Sequence, residues 1–232
     1  TQNTKILILP FPNNPTGAVM RKEHLEEIAK VCIEHDLLVV SDEIYAELTY
    51  GGDRHVSIAS LPGMRERTII VSGLSKSHAM TGWRIGYALG PKDAIAPMNK
   101  VHQYAIMCAP IMSQYAAIEA MDNGDDDIAM MAEEYDRRRM LITEELNRMG
   151  LPCFEPQGAF YVFPDIRSTG MKSEEFCEKL LFSERVAVVP GDAFGASGEG
   201  FVRCSYAYSV QTISIAMERI KRFLDKLDRS KS

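Results

Sequence analysis

Lys76 stands in Ser72-Gly73-Leu74-Ser75-Lys76, directly after the apolar run Thr68-Ile69-Ile70-Val71, and Arg84 follows in Thr81-Gly82-Trp83-Arg84-Ile85-Gly86-Tyr87. Two cations at the end of a strand that reads as buried need compensation, because burying an unpaired charge is costly. An aldehyde that condenses with the lysine amine, together with a phosphate for the arginine, meets both needs. Pyridoxal phosphate carries both groups.

Other polar groups follow other apolar runs. Asn14 lies in Asn13-Asn14-Pro15-Thr16-Gly17, just past the strand-like residues 5–9. Asp42 and Tyr45 lie in Asp42-Glu43-Ile44-Tyr45, just past the β-branched run 37–41. Ligands of open α/β sheets bind beyond the carboxyl ends of the strands, so successive strand ends here offer polar groups to one edge. Taken singly, each residue has a plainer reading. A lysine after a strand is usually a surface residue, and Asp42-Glu43 alone reads as a charge pair at a helix start. Tyr45 alone reads as a core tyrosine, Asn14 as a turn residue, Arg84 as an ion-pair partner. The ordered set carries more weight than any one motif.

The elements that must position these groups follow from periodicity. Residues 5–9, 37–41, 68–72 and 85–89 read as strands, and residues 21–35 carry Leu25, Ile28, Ala29 and Cys32 at helical spacing. Continuous apolar strands alternating with helices predict an α/β fold, a mixed, mostly parallel sheet covered by helices. Residues 93–122 read as helical, broken by Pro97 and Pro110; a long helix is predicted over 126–149, with Gly150 as its C-cap. Beyond Pro152, strand-like stretches at 159–163, 186–189 and 201–206 interleave with helices near 173–184 and 211–228, a smaller α+β region. The predicted organisation is therefore a larger domain over 1–122, a connecting helix over 123–150 and a small domain over 151–232.

Composition bounds the function. The chain has 232 residues, 46% hydrophobic and 25% charged, which is ordinary for a globular protein. A net charge of −6 and the lack of a basic cluster argue against a nucleic-acid partner. Arg137-Arg138-Arg139 follows Glu133-Glu134 and reads as a solvated helix face. The five cysteines (Cys32, Cys108, Cys153, Cys177, Cys204) form no Cys-x-x-Cys pair, which excludes zinc-ribbon spacing; scattered thiols of this kind fit a reducing, cytoplasmic compartment. No apolar run reaches the length of a membrane span. His78 and His102 lack metal-ligand spacing, so no metal site is expected.

Asn-Asn-Pro-Thr-Gly, Asp-Glu-Ile-Tyr and Ser-Lys followed by Arg84-Ile85-Gly86-Tyr87, in this order, resemble the class I/II aminotransferases, pyridoxal-phosphate enzymes of fold type I related to aspartate and aromatic aminotransferases. Ala79-Met80-Thr81-Gly82-Trp83-Arg84-Ile85-Gly86-Tyr87 is similar to the bacterial and archaeal branch. The resemblance implies a Schiff base between Lys76 and pyridoxal 5'-phosphate, with the freed amine then moving a proton. It implies Asp42 at the pyridine nitrogen, Tyr45 and Asn14 as donors to the phenolic oxygen, and Arg84 on the phosphate, with Ser72 or Ser75 as a further contact. Arg203, in Phe201-Val202-Arg203-Cys204-Ser205, matches the arginine that clamps the substrate α-carboxylate. Gly158-Ala159-Phe160-Tyr161 resembles the loop that closes over the substrate and excludes water.

The implied reaction moves the α-amino group of an amino acid to a 2-oxo acid, in a homodimeric cytoplasmic enzyme. The resemblance also implies that this chain is the C-terminal portion of a longer protein, truncated or proteolysed, and inactive or weakly cofactor-binding alone. The absent part would carry the phosphate-capping helix N-terminus, the aromatic side chain stacked on the ring and much of the dimer interface. Two rivals share most of these residues: a carbon–sulfur β-lyase of the same fold, and an aminotransferase-like sensor domain of a transcription regulator.

Overall fold

Continuous apolar runs build the first part of the chain into a sheet. The computed structural model describes residues 1–52 and 54–231. Strand β1 (Ile6–Pro10) leads through helix α1 (Lys22–Glu34) to β2 (Leu38–Asp42), and then to β3 (Thr68–Gly73). The single helical turn α2 (Leu74–Ser77) follows β3, and β4 (Gly86–Leu89) closes the sheet, in the order β1-β2-β3-β4. β1, β2 and β3 are parallel and β4 is antiparallel to β3. The mixed, mostly parallel sheet expected from the sequence is therefore present. Helices α3 (Lys92–Ala105), α4 (Ile111–Asn123) and α5 (Asp125–Arg148) follow.

The first unit comprises Thr1–Asn13 and Ala18–Ala132. Its core lies between the sheet and α1: Leu9 and Val39 from the strands meet Leu25, Ala29 and Cys32, with Ile58, Leu61 and Met64 beside them. The strand period of two sends the other residues to the opposite face. There Ile6, Ile8, Leu38 and Val71 are 54%, 67%, 42% and 39% exposed. Continuous apolar strands imply helices on both faces, and this face departs from that expectation. An apolar face of this kind invites association. Ile8→Lys is expected to lower the fluorescence of a bound hydrophobic dye while leaving thermal stability within about 0.5 kcal/mol, the scatter usual for surface changes. A large loss of stability on that substitution would mean the side chain is packed in solution.

Pro97 does not break the helix as its type led us to expect. It sits inside α3, which runs unbroken to Ala105. A proline removes one helical hydrogen bond and strains one turn, and here the flanking turns persist. Pro110 does separate α3 from α4. Among the described residues no helix is long and apolar enough to cross a membrane.

The second unit comprises Asn14–Gly17 and Glu133–Ser232. It holds the end of α5, β5 (Tyr161–Val162), helix α6 (Ser173–Glu184), β6 (Val189–Pro190), β7 (Val202–Ser205) and helix α7 (Val210–Lys231). The strands form an antiparallel sheet in the order β5-β7-β6. β5 and β6 are shorter than their apolar runs. Ala159 takes a left-handed φ of 58° before β5, and β6 ends at Pro190, whose missing N–H cannot extend a ladder. The Phe176 ring of α6 meets the Phe223 ring of α7 edge to face at 5.3 Å. Glu184, at the end of α6, accepts from Arg222 and Lys226 of α7.

Arg137-Arg138-Arg139 is not a uniformly solvated face. Arg139 is buried, donating to Asp136 Oδ1 at 2.7 Å, Glu155 Oε1 at 2.6 Å and the Pro156 carbonyl at 3.1 Å. Two carboxylates and a carbonyl compensate the buried charge, and in doing so fix the start of the 155–158 loop on α5.

Candidate active site

In the first unit, strand direction decides which side chains share an edge. β2 and β3 are parallel neighbours with Asp42 opposite Val71, so both strands end at the same edge. β4 runs the other way and begins where β3 ends, with Gly86 opposite Gly73. Asp42, Tyr45, Lys76 and Arg84 are all carried by segments that leave or enter the sheet at this edge. Gly73 is needed there: a Cβ on it would lie 2.9 Å from the Gly86 Cα.

Asp42 is the last residue of β2, half-buried, and its Oδ1 accepts from the Ile44 N–H at 3.1 Å. This local bond ends the strand in a turn and brings Tyr45 round; Tyr45 is 6% exposed. Lys76, on α2, places Nζ 6.0 Å from the centre of the Tyr45 ring. The α2 turn is anchored from behind. His78 lies 2.8 Å from Ser77 Oγ through Nδ1 and 3.1 Å from the Ala120 carbonyl of α4 through Nε2. Arg84 adopts a left-handed φ of 52°, and its Nη1 donates to the Thr81 carbonyl at 2.7 Å. The Trp83 carbonyl accepts from Ser113 of α4, which ties the same loop to that helix. Of the two serines, Ser72 donates its proton to the Glu43 carbonyl at 3.2 Å.

In the second unit, Arg203 of β7 is held between rings. Its guanidinium carbon lies 4.5 Å from the centre of Tyr161 and 4.9 Å from that of Phe194. Such stacking suits a planar guanidinium and leaves its edge available for hydrogen bonds. Nη1 donates to Asn14 Oδ1 at 2.9 Å. With its oxygen accepting, the Asn14 amide can still donate through its N–H groups. The Gly158–Tyr161 stretch is packed into this unit: Ala159 is fully buried and its carbonyl accepts from Tyr206 Oη at 3.1 Å, while the Phe160 ring lies tilted against that of Tyr135 at 5.4 Å.

Asn14 is seated by a contact that sequence reasoning missed. The Gly17 carbonyl accepts from the N–H groups of both Gln157 and Gly158, each at 2.9 Å. Gly17 has φ +72°, and a Cβ there would lie 2.5 Å from Pro156 Cβ. Gly17→Ala is expected to destabilise the second unit by about 2–4 kcal/mol, from left-handed strain and overpacking together. Thermal denaturation checks this; a loss under about 1 kcal/mol would show that the loop can move aside. Phe194 was also missed, because it lies in a Gly-rich loop with no periodic signal.

The donor set fits pyridoxal phosphate. The first unit alone offers an amine for an aldehyde, a guanidinium for a phosphate, a carboxylate for a ring nitrogen and a phenol for a ring oxygen. Among the described residues no His, Cys, Asp and Glu cluster could hold a metal.

Residues 1–220 match the family described as "Aminotransferase class I and II". The chain is 49% identical over 226 residues to the aspartate aminotransferase of Pyrococcus abyssi, covering 97% of this chain and 58% of that one. It is 46% identical over 226 residues to the aromatic-amino-acid aminotransferase 2 of Thermococcus litoralis, with the same coverage. The solved aromatic aminotransferase of Pyrococcus horikoshii OT3 superimposes with a TM-score of 0.95 at 50% identity, covering 97% of this chain and 61% of that one. The chain thus spans about 58% of the length of these curated relatives.

Proposed function

Because this chain belongs to the class I and II aminotransferases, whose cofactor is pyridoxal 5'-phosphate, we propose that the protein transfers the α-amino group of an amino acid to a 2-oxo acid. The observation that carries the proposal is the shared sheet edge of Asp42, Tyr45, Lys76 and Arg84.

Each residue has a defined task. When bound, pyridoxal phosphate supplies a conjugated ring that takes up the electron pair left as the substrate Cα loses its proton. Lys76 Nζ would hold the aldehyde group and, once freed, would accept and return the proton at the substrate Cα. Asp42 would face the ring nitrogen and keep it protonated. Tyr45 Oη and the Asn14 amide donate to the phenolic oxygen. Arg84 would pair with the phosphate as a guanidinium fork, with Ser72 or Ser75 as the further contact; Ser72 already donates to the Glu43 carbonyl. Arg203 would grip the α-carboxylate and so fix the substrate's orientation. A homodimer and a cytoplasmic location, both implied by the resemblance, belong to the same proposal, as does a large domain over 1–122 joined through 123–150 to a small domain over 151–232.

Product analysis tests the reaction. The protein is incubated with pyridoxal phosphate, an aspartate or aromatic amino donor and a 2-oxo acid. Appearance of the amino acid derived from the 2-oxo acid supports the proposal. Release of ammonia and thiol from cystathionine, without need of an acceptor, identifies the β-lyase instead.

A further inference from the structure

Glu43 follows the proposed ring partner directly, yet the strand period sends its side chain the opposite way. Asp42 lies on the sheet face with Ile8 and Leu38, while Glu43 turns toward the covered face and is 6% exposed. A carboxylate seldom stays buried without donors around it. Here Oε1 accepts from Ser41 Oγ at 2.9 Å and from Ser57 Oγ at 2.6 Å. His55 Nε2 lies 3.1 Å from Oε2. Burial alone would push the carboxyl pKa up; the neighbouring His55, Ser57 and Ser41 together hold it below the ordinary carboxylate value.

The main chain of the same residue is equally engaged. Its N–H donates to the Val71 carbonyl of β3 at 2.9 Å. Its carbonyl accepts from Ser72 Oγ at 3.2 Å and from the Ala46 N–H at 3.0 Å. One residue therefore joins β2, the 55–57 segment and the strand that leads to Lys76. It does so at the position between Asp42 and Tyr45.

We propose that Glu43 is a positioning residue, whose buried carboxylate fixes the turn that aims Asp42 and Tyr45. The proposal rests on the functional reading above for what that turn holds. Its structural part stands apart from it: Glu43 controls how tightly the Asp42–Ile44 bond is kept. Removing the carboxylate takes away the acceptor shared by Ser41 and Ser57 and the partner of His55, and the turn is then held by backbone alone. Deleting one serine hydroxyl removes a single bond and leaves the charge in place.

Amide hydrogen exchange on the cofactor-free chain tests this, comparing Glu43→Ala, Glu43→Gln and Ser57→Ala with the parent. In Glu43→Ala the Ile44 and Ala46 amides are expected to exchange roughly tenfold faster or more, the scale of lost hydrogen bonds to a buried charge. The Val39 amide in the same strand keeps its rate. Glu43→Gln, which retains an acceptor for both serines, restores most of the protection, and Ser57→Ala shows a smaller rise with the same selectivity. Equal acceleration at Val39 and Ile44 in all three variants, or none at Ile44, overturns the proposal. Should Glu43→Ala fail to fold, the Glu43→Gln and Ser57→Ala comparison decides it by the same criterion. A second arm adds pyridoxal phosphate: selective loosening of the turn is expected to weaken cofactor binding roughly tenfold in Glu43→Ala. If the parent chain binds no cofactor, that counts against the functional reading, and the exchange arm alone decides the role of Glu43.

Discussion

Lys76→Ala is expected to abolish the absorbance band of lysine-bound pyridoxal phosphate and to lower amino transfer by roughly 10²–10⁴-fold or more. The magnitude follows from what one amine does. It is the only group proposed to bond the aldehyde covalently, and it is also the general acid–base, a function worth about 10²–10⁴ by itself. Alanine removes both while leaving the fold largely intact, because Lys76 is only half-buried and His78 anchors the α2 turn. Lys76→Arg is the informative companion. It keeps the positive charge but supplies no nucleophile at neutral pH, since a guanidinium stays protonated, so it should fail as alanine does. A spectral titration with pyridoxal phosphate reads the band, and product analysis reads the transfer. Retention of the band in both variants would move the attachment point to another lysine.

Arg203→Ala should reduce kcat/KM for the amino acid by roughly 30- to 5,000-fold, mostly through KM, the scale of about 2–5 kcal/mol for truncating one partner of a hydrogen-bonded charge pair. The structure adds a second consequence. The guanidinium lies between the Tyr161 and Phe194 rings and donates to Asn14. Its loss therefore also frees the Asn14 amide to rotate, which disturbs the proposed bond to the phenolic oxygen. Arg203→Lys cannot restore the two-pronged grip and stacks less well, so it should recover little of the loss. Steady-state kinetics with the amino donor varied separate the outcomes. An unchanged kcat/KM in Arg203→Ala would assign the α-carboxylate to a different cation.

How much of this could be read from residues alone varies with the range of the interaction. The β-branched runs at 37–41 and 68–72 announce β2 and β3 because strand burial is written locally. The breaks at Pro110 and Asn123-Gly124 are legible for the same reason. The family motifs bring Asp42, Tyr45, Lys76 and Arg84 together on paper, and the sheet order places their segments at one edge. Less legible were effects that depend on what lies opposite. Pro97 within α3 was misjudged because a proline's cost is set by the turns around it. Arg139 looked like a surface charge until Glu155, sixteen residues away, supplied its partner. Nothing near Gly17 in the chain hints at Pro156, and nothing near Glu43 hints at His55, because these contacts arise only when distant segments fold together.

The seat of Asn14 also bears on how relatives of this protein can be recombined. Residues 14–17 lie early in the chain, directly after β1, yet their contacts group them with Glu133–Ser232. A chimera cut only at the long helix would graft a foreign arginine at position 203 onto the host's own Asn14–Gly17 segment. The Gly17 carbonyl would then meet a Gln157–Gly158 loop it did not evolve beside, and Arg203 would lose its matched acceptor. The exchangeable piece is thus discontinuous: a four-residue insert and the C-terminal hundred residues must travel as one cassette.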